Sequence, residues 1–156
     1  MIVERPAGST VLTILLVEDN GDHAELVTRS FEQHRAPARI YHVTDGEAAL
    51  NYLRRRGEYE QPESSPRPNL ILLDLRLPRI DGLEVLKEIK SSGDLHDIPA
   101  VVLTTSEAET DVARAYERNA NSYLVKPIDY AKFTKLMEDL GLYWLSWNRP
   151  PRPSES

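Results

Sequence analysis

The sequence contains no cysteine, which excludes disulfides and thiolate metal sites and fits a reducing compartment. Long apolar runs are also missing: stretches such as 70–73 fall far short of the roughly 20 residues a membrane span needs. Residues 1–10 include Glu4, Arg5 and Pro6 and hold no continuous apolar core, which argues against a secretory signal. Cations are outnumbered, with 19 Lys and Arg against 25 Asp and Glu and a formal net charge of -6, and no basic stripe runs along the chain. A nucleic-acid partner, which needs clustered Lys and Arg opposite phosphate, is not expected. The four histidines, His23, His34, His42 and His96, lack metal-ligand spacing and receive no role. The expected location is the cytoplasm, with no membrane partner.

What the chain does have is enough apolar material for one core. Its 156 residues are 40% hydrophobic, which suits one globular domain and is too short for two. Five nearly continuous apolar segments, 11–17, 39–43, 70–73, 100–103 and 122–125, read as strands. Runs without in-out alternation indicate burial on both faces, the pattern of a parallel sheet between helices. Helix-period stretches follow them at 22–34, 46–56, 83–91, 107–118 and 130–140. In the first, Ala24, Val27 and Phe31 share a face; in the third, Val85, Leu86 and Ile89 do, with Gly93 beyond its end as a candidate cap. Strict strand-helix alternation predicts a doubly wound α/β sandwich with right-handed crossovers. The Pro- and Ser-containing stretch 57–69 reads as a long surface loop, either a recognition loop or an insertion. Residues 1–10 are expected to be an extension, 11–147 the domain, and the Pro-rich 148–156 a disordered tail.

Ligands of an open parallel sheet bind beyond the carboxyl ends of its strands, where strand order reverses. Those ends read Glu18-Asp19 after the first strand, Asp74 after the third, Thr104 in the fourth and Lys126-Pro127 after the fifth. Taken singly, Asp19 or Asn20 could serve only as a helix cap, Thr104 or Ser106 likewise, and Lys126 could be merely solvated. Asp74 is harder to dismiss, because a lone carboxylate after four apolar residues would be costly to bury. Three carboxylates within about 5 Å repel one another by roughly 3 kcal/mol per pair at an effective dielectric of 20, so a cation is expected among them. Hard oxygens without Cys or His favour Mg²⁺ or Mn²⁺. A carboxylate can attack phosphorus, given a metal and fixed donors around the phosphoryl oxygens. On that reading Asp74 is the nucleophile, Asp19 a direct metal ligand and Glu18 the holder of a metal-bound water, with Lys126 and Thr104 on the phosphoryl oxygens.

In this combination the sequence resembles the receiver domains of two-component response regulators. The acidic pair Glu18-Asp19, the acceptor Asp74, Thr104, Lys126-Pro127 and the loop from Asp74 through Pro78 to Gly82 carry the resemblance, which covers about residues 11–141. It implies a flavodoxin-like (βα)5 sandwich with a five-stranded parallel sheet in the order 2-1-3-4-5. The Arg76 backbone carbonyl would complete the metal shell, the peptide before Pro127 would be cis, and Arg76 and Ser106 would tune dephosphorylation. Phosphorylation would draw Thr104 towards the phosphoryl group and turn Tyr123 inward, rearranging the face of helix four, strand five and helix five. A homodimer is expected through that face, at Tyr130, Phe133, Met137, Trp144 and Trp147, because two tryptophans exceed what one helix can bury inward.

The long loop, the Glu-Asp-Asn acidic pair, the Leu-Thr-Thr-Ser run and the aromatic C-terminal segment resemble the small receivers that partner phytochrome sensor kinases. The implied phosphodonor is a phosphohistidine of such a kinase, and a downstream phosphotransfer protein is a further expected partner. Nothing of domain length follows residue 147, so output is expected through protein contact, phosphate relay to another carrier, or sequestering of phosphate from the kinase. Three other readings fit less well. A receiver that has lost phosphorylation would not need Asp19, Asp74, Thr104 and Lys126 together. A dehalogenase-like phosphatase would want a second Asp where Arg76 stands, and a flavin protein would not place Glu18-Asp19-Asn20 against a phosphate.

Overall fold

The structure, a computed structural model, describes residues 12–32, 38–75, 77–104, 122–125, 131–133, 135, 136 and 139, with backbone alone at 104 and 122–125. Five parallel strands, β1 (Leu12–Val17), β2 (Ala38–Val43), β3 (Leu70–Leu73), β4 (Ala100–Thr104) and β5 (Ser122–Val125), form one sheet in the order β2-β1-β3-β4-β5. Helix α1 (Gly21–Glu32) follows β1, α2 (Gly46–Arg54) follows β2, and α3 (Gly82–Ser91) follows β3. Residues 131–133, 135, 136 and 139 are helical, and among the described residues no helix is long and apolar enough to cross a membrane.

The absence of in-out alternation in the strands now has a spatial cause. Successive side chains point to opposite faces, and in β1, β3 and β4 both faces are covered. Strand β2, at the edge of the sheet, departs from the expected two-face burial, with only Val43 buried. Leu15, Val17, Ile71, Leu73, Ala100 and Val102 face α2 and α3, where they pack on Ala49, Leu50, Tyr52, Val85, Leu86 and Ile89. Their neighbours Ile14, Leu16, Leu70, Leu72, Val101 and Leu103 face α1, through Ala24, Val27 and Phe31, and Phe133. All four residues of β3, at the centre of the sheet, are wholly buried. A polar residue at any of them would stand in a core, whichever way it pointed.

Phe133 corrects one sequence expectation. It is 2% exposed and belongs to the core beside α1, so it is not available to a dimer face. Its position on the helical period turns it inward, while Ala131, Lys132 and Lys135 are exposed or partly so.

The helix ends differ from the sequence reading in two places. Helix α2 stops at Arg54, before the expected 56, because Arg55 enters the left-handed region at φ 52°. The Arg55 and Arg56 amides then donate to Tyr52 O (3.2 Å) and Asn51 O (2.9 Å), satisfying carbonyls of the last turn. Gly93 does not supply the left-handed cap expected after α3: the only described glycine at positive φ is Gly57, and α3 ends on extended Ser92.

The 57–69 loop is built more firmly than its composition suggests. Gly57–Tyr59 form one 3-10 turn, and Ser65, 1% exposed, donates its hydroxyl to Tyr59 O at 2.7 Å. The Tyr52 hydroxyl donates to Pro66 O at 2.8 Å, and burial pushes that phenol well above its ordinary pKa. At the loop's end Asn69 and Thr13 exchange two bonds, Thr13 N to Asn69 Oδ1 at 2.8 Å and Asn69 N to Thr13 O at 2.7 Å. Tyr52 also stacks at a tilt between Tyr41 and Tyr59, with ring centroids 5.9 and 5.4 Å away.

Candidate functional site

Strand order reverses between β1 and β3, since β2 lies beyond one and β4 beyond the other. The ladder continues past both strands. The Glu18 amide donates to Val43 O at 3.0 Å and the Asp74 amide to Val17 O at 3.1 Å. Those two bonds hold the residues after β1 and β3 side by side above the crevice. Carboxylate oxygens of Glu18, Asp19 and Asp74 all come within 4.8 Å of one another there. Glu18 is 2% and Asp74 8% exposed, whereas Asp19 faces solvent. The cluster is therefore a buried pair with one open side.

The capping alternative is resolved by Asn20. Its Oδ1 accepts from Asp22 N (2.9 Å) and His23 N (3.1 Å) at the start of α1, so Asp19 is not required as the cap. Glu18 Oε2 accepts from Asn20 N at 3.2 Å, fixing that carboxylate through its own loop. Two histidines set aside in the sequence lie against Glu18. His42 Nε2 is 2.7 Å from the Glu18 carbonyl oxygen, and His23 Nδ1 is 4.0 Å from Oε1. Strand pairing foretells the first contact, because His42 is opposite Leu16 at the top of the β1-β2 ladder.

The segment after Asp74 is fixed by close packing of glycines. A Cβ on Gly82 would stand 2.1 Å from Asp74 O, and one on Gly46 would stand 1.9 Å from Ile80 O. Each glycine follows an aspartate that caps its helix: Asp45 accepts from Ala48 N at 2.7 Å and Asp81 from Glu84 N at 2.9 Å. The repeated Asp-Gly pair is a sequence signal that marks both helix starts. Gly82 N also donates to Leu75 O at 2.9 Å, closing the loop on itself. Arg79, at φ 68°, pairs with Asp45 at 3.4 Å and Glu47 at 3.6 Å, which ties the loop to the start of α2.

On the other side of the crevice, the pairing of Thr104 with Val125 puts Thr104 at the same carboxyl edge as the acidic residues and leaves Lys126 next in the chain. Tyr123 pairs with Val102 in the backbone of β5. The side chains of Thr104 and Tyr123 lie outside what is described, as do Arg76, Ser106, Lys126, Pro127 and its peptide bond, Tyr130, Met137, Trp144 and Trp147.

Comparison with known proteins agrees with this geometry. A family model described as response regulator receiver domain matches residues 14–138. The chain is 48% identical over 141 residues to the probable methanogenesis regulatory protein FilR2 of Methanothrix harundinacea, covering 90% of this chain and 88% of that one. It is 46% identical over 132 residues to response regulator Rcp1 of Synechocystis, covering 85% and 88%. Among solved structures, that of the phosphorylated cyanobacterial phytochrome response regulator RcpA superposes with a TM-score of 0.85 at 38% identity, covering 92% of this chain and all of that one. The Mn²⁺-bound form of Rcp1 superposes with a TM-score of 0.83 at 43% identity, covering 90% and 99%.

Proposed function

The chain belongs to the response regulator receiver domain family, and from that premise we propose that Asp74 accepts a phosphoryl group from a phosphohistidine of a sensor histidine kinase. The observation that carries this reading is the convergence of Glu18, Asp19 and Asp74 within 4.8 Å at the switch point of the sheet. Two of the three are buried, and the exposed Asp19 leaves a path by which a donor can approach.

The donor set suits a hard divalent cation, Mg²⁺ or Mn²⁺: three carboxylates, one open side and no sulfur ligand. Asp19 and Asp74 would hold it directly, Glu18 through a water, and the Arg76 carbonyl would complete the shell. When bound, the cation neutralises charge on the carboxylates and on the phosphoryl oxygens. A carboxylate oxygen of Asp74 attacks phosphorus, the bond from phosphorus to the donor imidazole breaks, and the imidazole nitrogen leaves with the electron pair. Thr104, at the same carboxyl edge, and Lys126, which follows β5 in sequence, would hold the phosphoryl oxygens. Gly82 and Gly46 allow the acceptor loop to lie flat, so Asp74 is aimed before the donor arrives.

The output of this reaction is a change of surface. Thr104 moves towards the phosphoryl group, Tyr123 follows inward, and a dimer forms through Tyr130, Met137, Trp144 and Trp147. Arg76 and Ser106 set how readily water reaches the acyl phosphate. The resemblance to RcpA supports a phytochrome-type kinase as donor; a cytoplasmic location and a downstream phosphotransfer protein complete the proposed reading. The comparable likeness to FilR2 supports a second reading, in which the same switch serves a kinase that senses something other than light.

Intact-mass analysis after incubation with acetyl phosphate and Mg²⁺ tests the chemistry. One phosphoryl adduct is expected for wild type and none for Asp74→Asn or after chelation. An adduct that survives Asp74→Asn would overturn the assignment. Phosphotransfer from purified phytochrome kinases, compared with kinases of other input, then separates the two donors.

A further inference from the structure

At the amino end of the sheet, opposite the acidic cluster, a cavity of about 450 Å³ opens between the last turns of α2 and α3 and the end of the 57–69 loop. Its volume is in the range that holds a small organic ligand, roughly 300–1,000 Å³. Tyr52, Leu95 and Ile98, at most 5% exposed, close its base, and the surface it presents is mainly polar. Its walls are preformed, because the Tyr52 hydroxyl, Ser65 and Asn69 tie down the loop that makes one side.

The rim is basic, in a protein whose net charge is -6. Arg54, Arg55 and Arg67 line it, and Asp94 is the acidic residue among the lining groups. Arg54 is occupied by Glu88 at 2.7 Å, a bridge that braces α2 against α3. Arg55 uses Nε on Ser65 O at 3.3 Å, and Arg67 is exposed with no ion pair among the described residues. Two guanidinium groups with unused donors stand at the rim of a mainly polar cavity. Guanidinium forks match carboxylate, phosphate and sulfonate oxygens.

Arg55 carries a second sign. It holds a left-handed backbone at φ 52° that most side chains avoid, where a glycine would sit without strain. The Arg side chain is thus present at this position against the preference of its backbone.

From these observations we infer that the cavity binds a small organic anion, its charged group against Arg55 and Arg67. The site is distinct from the phosphorylation site and does not depend on that reading.

The test uses the full chain and 8-anilinonaphthalene-1-sulfonate, a flat apolar body with one sulfonate, followed by fluorescence and by amide shifts in nitrogen-15 NMR. One saturable site is expected, with shifts confined to residues 52–55, 65–67 and 92–98. The neutral N-phenyl-1-naphthylamine, and separately the variants Arg67→Glu and Arg55→Gly, should each weaken binding by about ten-fold, the loss of one charge-assisted contact. Arg67 is exposed and Arg55→Gly relieves backbone strain, so both variants should keep the wild-type melt by circular dichroism. Unchanged affinity in the two folded variants, shifts at the exposed helical face around Leu136 instead, or the absence of saturable binding would each overturn the proposal.

Discussion

At the carboxyl end of the sheet three carboxylates meet within 4.8 Å; at the amino end three arginines line a cavity. The acidic end is assembled from residues that directly follow strands, so the ladder itself sets their spacing, through Glu18 N to Val43 O and Asp74 N to Val17 O. The basic end is assembled from a helix terminus and an irregular loop, and its spacing depends on side-chain bonds such as Tyr52 to Pro66 and Ser65 to Tyr59. The lesson is mechanical. Geometry at the acidic end is inherited from the sheet, while geometry at the basic end can be removed one hydrogen bond at a time.

The most damaging change to this division should be Gly82→Ala. Its Cβ would meet Asp74 O at 2.1 Å and Leu75 Cα at 2.6 Å, both backbone atoms that cannot rotate away. A loss of about 3 kcal/mol or more is expected, beyond ordinary overpacking, together with loss of phosphorylation. Urea denaturation and acetyl phosphate labelling measure the two effects. A stable, labelled Gly82→Ala protein would mean that the acceptor loop is adaptable, and the contrast between the ends would fail.

Next in size is Ser65→Ala, which removes a buried hydroxyl and leaves Tyr59 O without its 2.7 Å donor. About 2 kcal/mol is expected, with phosphorylation of Asp74 unchanged. Asn69→Ala, at a more exposed position, should cost about 1 kcal/mol by the same measurement. Were either variant to slow phosphorylation as much as it lowers stability, the two ends would be coupled rather than independent.

The same contrast explains what could be read in the sequence. The strands were legible because β3 and β4 are continuous apolar runs, and the acidic residues because each follows such a run, whereas the strand order came from the resemblance to receiver domains. Helix starts were half legible: the apolar period put the start of α3 at 83, one residue after Gly82, but the docking of Gly46 on Ile80 needs the third dimension. The end of α2 was missed because an arginine, not a glycine, takes the left-handed position. The amino-end cavity was invisible for a different reason. A chain without a basic stripe gathers Arg67 beside Arg54 and Arg55 only because the loop between them folds back. The expected contribution of Phe133 to a dimer failed because several apolar residues share one helix and only packing decides which of them turn inward.

Tyr52 offers a smaller effect with a pH signature. Removing its hydroxyl in Tyr52→Phe forfeits the bond to Pro66 O, about 1 kcal/mol near neutral pH. Burial raises the pKa of this phenol, so between about pH 10 and its higher folded value the unfolded chain has lost a proton that the folded chain keeps. The stabilisation is complete below pH 10 and declines as pH rises through that window. Urea titrations from pH 8 to about 11 should show a shallower alkaline decline in Tyr52→Phe than in wild type, with a residual slope from Tyr59, whose pKa burial also raises. An identical decline in both proteins would place the Tyr52 hydroxyl in water.

The smallest expected change is the most discriminating. Arg55→Gly exchanges a strained residue for an unstrained one: relief of the left-handed backbone stabilises by about 1 kcal/mol, and the greater freedom of glycine in the unfolded chain costs a similar amount. The contact from Nε to Ser65 O, at 3.3 Å, is long and adds little. Stability should therefore stay within about 0.5 kcal/mol of wild type, measured by urea titration. A large loss would show that the Arg55 side chain is a structural brace, and the basic rim would then be explained by folding alone. Retained stability leaves the guanidinium at this strained position without a role in the fold, which is the condition under which a role in binding has to be sought.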